Sequence, residues 1–164
     1  MSSINQARLV VVRSLLEIEK GGSAEELLLS GNHKDFISLK NNDQRFAHFL
    51  LFGVLRERGR LDELLNRNSK KEIEKQKPVI RSILRLAVFE MKLSRVPIHA
   101  VIDQAVLLTQ KFGFRFASGF VNALLRKSVS EELSSNLELN LPGWIMRPLN
   151  EVTDNVEQYT QSLS

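Results

Sequence analysis

Apolar side chains recur every three to four residues along most of the chain, and no stretch shows the period of two that a half-buried strand requires. This pattern predicts an all-α protein, a bundle of about seven helices. The first predicted helix covers residues 4–19 and ends at Gly21 and Gly22. The remaining helices are predicted at residues 23–29, from Asn42 or Asp43 through Val54, and at 61–66, 79–93, 98–112 and 115–129.

Proline and glycine mark the predicted helix boundaries. Pro78 and Pro97 stand where helices can begin, because the first helical position needs no N–H donor. Gly59 is the predicted break between two helices, and Gly113 is the predicted end of the helix over residues 98–112. The helical spacing predicts buried faces made by Phe46, Phe49, Leu50 and Val54 in one helix and by Phe116, Phe120, Ala123 and Leu124 in the last.

The composition, with 43% apolar and 26% charged residues, is that of a soluble globular protein. The chain has no cysteine, and its three histidines are far apart, so disulfides and thiol chemistry are excluded and we expect no metal site and no cofactor. No segment reaches the roughly 20 uninterrupted apolar residues of a membrane span. Charges interrupt residues 9–18, which therefore make a poor signal peptide, and we expect a cytoplasmic protein without membrane association.

The net charge of +4 conceals an uneven distribution. Residues 1–60 hold 9 Lys or Arg and 7 Asp or Glu, a net +2; residues 61–127 hold 13 and 6, a net +7; residues 128–164 hold 1 and 6, a net −5. A basic body attracts polyanions such as nucleic acids, although many basic domains are simply well solvated. We expect a basic helical domain over residues 1–133 and an acidic tail or linker over residues 134–164.

Four short motifs occur in a fixed order along the chain: FGVLR at 52–56 with RLD at 60–62, LRLAVFE at 84–90, RVPIHA at 95–100 with DQAV at 103–106, and GFVNALLR at 119–126. Each motif is weak alone. Together, in this order and spacing over residues 5–130, they resemble the NusB-like RNA-binding family. The resemblance implies a NusB-like helical bundle that binds RNA.

The family has two main branches, the antitermination factor NusB and the N-terminal domain of Sun/RsmB-type methyltransferases of small-subunit ribosomal RNA. The motifs at 52–62 and 95–100, and LPGWIMR at 141–147, look more like the second branch. The resemblance therefore implies a non-catalytic RNA-recognition module of a methyltransferase-like protein, acting on ribosomal RNA or its precursor. Cytosine-C5 methylation by that class needs a cysteine thiolate, which this chain lacks, so we expect no enzyme activity.

The alternative is a free-standing antitermination factor of the NusB type. Such a factor is a protein-interaction module, because NusB pairs with a small-subunit ribosomal protein, NusE, to bind RNA. The partners expected from the resemblance are thus RNA and, in this alternative, a ribosomal protein. A homodimer is also compatible with the sequence.

The resemblance also implies RNA-contacting residues. Arg8 matches the last arginine of the N-terminal basic motif of NusB proteins, although Ile4-Asn5-Gln6 replace the basic residues before it. Phe112 and Phe120 match aromatic positions of the RNA-facing set, where a ring can stack on an unpaired base. Lys111, Arg115, Arg126 and Lys127 lie near these rings in sequence and are the predicted phosphate contacts. Arg81 extends the predicted basic surface.

Each of these residues also has a structural interpretation. Phenylalanines at helical spacing usually pack in a core, and Arg8 can be a solvated residue at a helix start. Arg85 lies in a very apolar helix, which favours a structural ion pair, with Asp103 as the expected partner. Asn122 is expected to bridge two helices by hydrogen bonds, and Trp144 is expected to pin the tail to the bundle.

Overall fold

The computed structural model describes residues 3–21 and 33–141, and in these ranges it contains six α-helices and three 3₁₀ turns but no strand. The all-α prediction is confirmed. The helices are α1 Gln6–Glu19, α2 His33–Ile37, α3 Asn41–Asn68, α4 Pro78–Leu93, α5 Ile98–Lys111 and α6 Ser118–Ser128. The 3₁₀ turns are Ile73–Lys75, Arg115–Ala117 and Leu137–Asn140.

Helix α4 lies at the centre of the bundle and contacts α1, α3, α5 and α6. Ten of its 16 residues are buried, as its nearly continuous apolar sequence predicts. Pro78 occupies its first turn, in agreement with the predicted start. Helices α1, α3, α5 and α6 pack around α4 with their apolar faces inward, so the core is shared by every long helix of the described chain.

Helix α3 runs unbroken for 28 residues, and the predicted break at Gly59 is wrong. At both glycines of this helix, the lack of a Cβ lets another part of the chain come close to the helix backbone. A Cβ atom on Gly53 would lie 2.1 Å from the Phe89 ring, and one on Gly59 would lie 1.6 Å from the backbone oxygen of Leu139. These glycines therefore serve packing between elements, and the helix continues through them at a modest cost in propensity.

The ends of the helices follow local rules in several places. The Asn5 side chain accepts a hydrogen bond from the Arg8 backbone N–H and caps α1. Gln104 secures the same end, because its Oε1 accepts from the Asn5 N–H at 2.8 Å and its Nε2 donates to the Ser3 carbonyl at 2.8 Å. Gly113 ends α5 as predicted, with φ of +88°, a conformation that favours glycine.

Three predicted inward-facing phenylalanines, Phe49, Phe116 and Phe120, are exposed instead. Phe49 is 46% exposed, since the buried face of α3 uses neighbouring positions. Phe116 is 78% exposed because it belongs to the 3₁₀ turn before α6, so the helical period does not extend to it. The buried residues of α6 are Val121, Leu124, Leu125 and Ser128, which also leaves Phe120 and Ala123 on the outer side.

Some predictions fall on other parts of the chain. The predicted helix at residues 23–29, Trp144 and most of the expected acidic tail lie outside the described residues. The described part of that tail, residues 134–141, packs against α3 through its 3₁₀ turn. Helix α2 lies in a stretch for which the apolar spacing predicts no helix, and it forms where Phe36 and Leu39 are buried. No described helix is long and apolar enough to cross a membrane.

Candidate nucleic-acid interface

A rigid turn between α5 and α6 sets the position of the predicted RNA-contacting residues. At the end of α5 the Phe114 N–H donates to the Thr109 carbonyl at 2.9 Å, and the Gly113 N–H donates to the Gln110 carbonyl at 3.0 Å. These two bonds form a Schellman motif, which fixes the direction in which the chain leaves the helix. The following 3₁₀ turn, Arg115–Ala117, then leads directly into α6.

Cationic and aromatic side chains are exposed at this turn and along α6, and we call this set of residues the α5–α6 surface: Lys111, Arg115, Phe116, Phe120 and Arg126. All five are exposed, Phe116 by 78% and Phe120 by 39%. Within the described residues none of the three cations forms an ion pair with a carboxylate. Their charges are therefore available to an external anion.

Asn122 supports this surface in a way that the sequence did not predict. Its Oδ1 accepts a hydrogen bond from Arg126 Nε at 3.1 Å, four residues further along the same helix. Within the described residues the Asn122 side chain bonds only inside α6, so the expected bridge between two helices is wrong. The bond holds the Arg126 guanidinium near the helix surface and leaves its other N–H groups open.

The two aromatic residues that the resemblance implies differ in exposure. Phe112 caps the end of α5 and is half-buried against the core, whereas the Phe120 ring lies at the surface. Sequence reasoning missed two further aromatic residues in the turn. The Phe114 and Phe116 rings lie 5.8 Å apart, and Lys77 Nζ lies 5.9 Å from the Phe114 ring centroid. The alternation of aromatic and basic residues in GFRF, residues 113–116, is the signal that could have identified them.

Arg8 lies inside the bundle, apart from any exposed cationic surface. Its guanidinium donates to Glu90 at 2.9 Å from Nε to Oε2 and at 2.5 Å from Nη2 to Oε1, and Arg8 is only 7% exposed. The Phe46 ring centroid lies 5.1 Å from the guanidinium carbon. Burial raises the pKa of the Glu90 carboxyl, and the hydrogen bonds from Arg8 oppose that shift. The predicted phosphate contact of Arg8 would require this pair to open.

Arg81 is also engaged within the protein. It forms two hydrogen bonds of 2.9 Å with the Glu19 carboxylate, and its Nη1 donates to the carbonyls of Glu74 and Gln76 at 3.0 and 2.9 Å. These partners account for four of the hydrogen bonds that a guanidinium can donate. Arg81 thus ties α1 and the residues before α4 together, and it is not part of the α5–α6 surface.

Arg85 forms the structural ion pair that its apolar helix predicts, but the expected partner is wrong. It contacts Asp62 at 2.7 and 2.9 Å, and also Glu19 and Glu74, whereas Asp103 is exposed on α5. Helical spacing along one sequence cannot reveal which carboxylate of another helix faces a given arginine. Glu74 also pairs with Arg58 at 2.9 Å, and this bond lowers the pKa of the Glu74 carboxyl.

This arrangement supports electrostatic attraction of anions and stacking of rings on planar groups. Within residues 3–21 and 33–141, no group of three or more His, Asp or Glu side chains is placed to hold a metal ion. The α5–α6 surface instead offers ammonium and guanidinium groups beside open ring faces. Cations of this kind bind phosphodiester groups, and exposed rings stack on unpaired bases.

Comparisons with known proteins place this chain among relatives of two kinds. Residues 5–130 match the sequence profile described as the NusB family, a range that contains all six described helices. The chain is 31% identical over 126 residues to the transcription antitermination protein NusB of Anaeromyxobacter dehalogenans, covering 76% of this chain and 89% of that protein. It is 33% identical over 138 residues to the ribosomal RNA small subunit methyltransferase B of Thermus thermophilus, covering 84% of this chain and 33% of that protein.

A similar fold occurs in a solved complex. A chain from the crystal structure of antitermination factors NusB and NusE with double-stranded RNA matches this structure with a TM-score of 0.68. The two chains are 22% identical, and the match covers 76% of this chain and 93% of the other. The helical bundle described above is therefore the fold of that chain.

Proposed function

We propose, because the chain belongs to the NusB family, that it is a non-catalytic RNA-binding protein of the transcription antitermination type. It acts on ribosomal RNA or its precursor, in the cytoplasm, together with a small-subunit ribosomal protein. The solved complex of NusB, NusE and double-stranded RNA supports RNA and a protein partner by analogy of fold, whereas the preference for a single strand rests on the exposed rings described below.

The coverage of the two kinds of relatives favours antitermination over the methyltransferase-module function that the sequence motifs suggested. The chain aligns with 89% of the Anaeromyxobacter antitermination protein but with 33% of the Thermus methyltransferase. The region shared with the methyltransferase thus represents a minor part of that enzyme. Both functions rely on the same property of the shared bundle, namely binding of RNA.

The observation that carries the proposal is that the α5–α6 surface exposes two rings, Phe116 and Phe120, together with three cations that form no ion pair within the described part of the chain. Cations release condensed counterions when they neutralise phosphates, which supplies affinity without sequence preference. A ring that stacks on an unpaired base adds about 1–3 kcal/mol. Together these two terms hold a single-stranded segment with its backbone on the cations and its bases against the rings.

The test measures binding of a fluorescein-labelled 12-nucleotide oligouridylate, and of single-stranded fragments of ribosomal RNA precursor, by fluorescence anisotropy. Phe116→Ala and Phe120→Ala are each expected to weaken binding by about 5- to 150-fold, which corresponds to the loss of 1–3 kcal/mol of stacking. The matched control is Phe49→Ala, which removes a ring that is 46% exposed on α3.

Two outcomes would contradict the proposal. One is a loss of affinity in the Phe49 control as large as in the two turn variants, since general destabilisation would then explain the result. The other is an absence of RNA binding by the wild-type protein both alone and with the small-subunit ribosomal protein added.

A further inference from the structure

A groove of about 430 Å³ separates α6 from the connection between α3 and α4, residues 69–77. We call it the lysine groove. Phe120 and Leu124 of α6 provide its apolar wall, while the opposite wall comes from the connection. The residues that carry its chemistry are Lys70, Lys71, Gln76, Phe120, Leu124 and Lys127. The groove therefore begins at the inner edge of the α5–α6 surface, because Phe120 belongs to both.

The charged residues that line the lysine groove are all positive. Lys70, Lys71 and Lys127 line it, and no carboxylate is among its lining residues. Each of these lysines is exposed and makes no ion pair within the described part of the chain. Two carboxylates near the groove are engaged by other residues: Glu131 accepts a hydrogen bond from the lining residue Asn68 and pairs with Arg67, and Glu74 pairs with Arg58 and Arg85. Glu72, next to Lys71 in the connection, is exposed. Three ammonium groups around one cleft produce a positive potential that attracts an anionic chain.

The wall that carries the lysines is held in place by buried contacts. Ile73 is fully buried, and its N–H donates to Asn66 Oδ1 at 2.8 Å. Arg81 donates to the carbonyls of Glu74 and Gln76, as described above. The connection is thus anchored at its middle and at its end. A binding surface ordered in advance loses less conformational entropy when a ligand binds.

The dimensions and lining of the groove select the ligand. Its volume lies within the range of roughly 300–1,000 Å³ that accommodates small-molecule ligands, which is enough for one nucleotide but not for a double helix. The Phe120 ring offers a face to an unpaired base, and the lysines on either side would contact the phosphates before and after it. Bases within a duplex are already paired and stacked, so they cannot use a ring in this way.

We propose that the lysine groove binds a nucleotide of single-stranded RNA, so that the strand passes from the α5–α6 surface over Phe120 and onto Lys70 and Lys71. This inference rests on the proposed function and extends the RNA path to a segment some 50 residues away from α6 in sequence. Arg81 then has a defined task as a positioning residue, since it holds the connection that carries the two lysines.

The test compares two double variants that remove the same charge. Lys70→Ala/Lys71→Ala acts in the groove, whereas Lys34→Ala/Lys40→Ala removes exposed lysines before α3. Lys40 and Lys70 flank the 28-residue helix, which separates them by about 42 Å at 1.5 Å per residue. The dissociation constant for the 12-nucleotide oligouridylate is measured between 50 and 300 mM salt, and circular dichroism confirms that each variant is folded.

The expected result is a slope of log affinity against log salt that is shallower by about 1.4 in the groove variant, that is, about 0.7 for each of two lost phosphate contacts. The control should keep the wild-type slope. A 12-base-pair RNA duplex should bind the groove variant and the wild type equally, because the duplex does not enter the groove.

The outcomes separate the two proposals. If the groove variant keeps the wild-type slope while Phe116→Ala and Phe120→Ala lose affinity, the groove assignment is overturned and the proposed function stands. Equal losses in the groove variant and the Lys34/Lys40 control, or an equal loss on the duplex, also overturn the groove assignment. If the wild-type protein shows no salt-dependent binding of RNA, both proposals fail.

Discussion

The buried pair of Arg8 and Glu90 allows a decisive test of which residues serve the fold and which serve RNA. We consider three variants: Arg8→Met, Glu90→Leu and the double variant. Each single change removes one partner and leaves a charge in the core, where Arg8 is 7% and Glu90 1% exposed. Removal of one member of a buried pair destabilises a protein by about 3–5 kcal/mol.

The Arg8→Met variant also loses the contact of the guanidinium with the Phe46 ring, at 5.1 Å, a contact worth about 1–2 kcal/mol when desolvated. The double variant should recover most of the loss, because an apolar pair of similar volume leaves no uncompensated charge. The pKa of Glu90 supports this expectation. Burial raises the pKa of the Glu90 carboxyl, so the native state binds the carboxyl proton more tightly than the unfolded chain does. The stability that the protonated carboxyl contributes below pH 4.5 is therefore lost as the pH rises.

The assay is urea unfolding at pH 7 followed by far-ultraviolet circular dichroism, with RNA binding measured on the folded fraction. The single variants should lose about 3–5 kcal/mol of unfolding free energy, and the double variant should return to within about 1–2 kcal/mol of the wild type. The salt slope of RNA binding should be unchanged in the double variant. A result in which Arg8→Met is as stable as the wild type and its slope is shallower by about 0.7 would refute the reasoning and make Arg8 a phosphate contact.

Two further predictions concern packing and pH. Gly59→Ala should destabilise the protein by about 2 kcal/mol or more, because the new Cβ would collide with the Leu139 backbone and release the hydrogen-bonded segment at residues 134–141. Gly119→Ala should instead stabilise the protein by up to about 1 kcal/mol, because a Cβ at this position of α6 would meet open space. Thermal unfolding measures both, and equal stabilities would contradict the packing argument. The hydrogen bond from Arg58 lowers the pKa of Glu74, so the ionised Glu74 carboxylate stabilises the folded protein above pH 4.5, and this stabilisation is lost as the pH falls further. The wild-type protein should therefore lose more stability between pH 5 and pH 3 than Glu74→Gln does. The difference should stay below about 1 kcal/mol, because the Glu74 side chain is largely exposed. Identical pH profiles of the two proteins would contradict this prediction.

The sequence by itself determined the class of the fold and most of the helix boundaries. Apolar spacing, Pro78 at the start of α4 and Gly113 at the end of α5 act through neighbours within one helical turn, so they can be recognised without a structure. The ordered motifs identified the family, which the profile match confirms. The concentration of positive charge in residues 61–127 also pointed to the region that contains the exposed cations and rings.

The tertiary structure decided the roles of individual residues, because these depend on elements that meet only after folding. Gly59 resembles a helix end, yet α3 continues through it, and the lack of a Cβ leaves room for the Leu139 backbone, which comes from far along the chain. Arg8 matches a position of a motif associated with RNA, yet it is buried in the core, where it forms an ion pair with Glu90. Lys70 and Phe120 face one groove although 50 residues separate them in sequence. Helical periodicity specifies which face of a helix is apolar, but the partner of each polar group is set by how the helices pack.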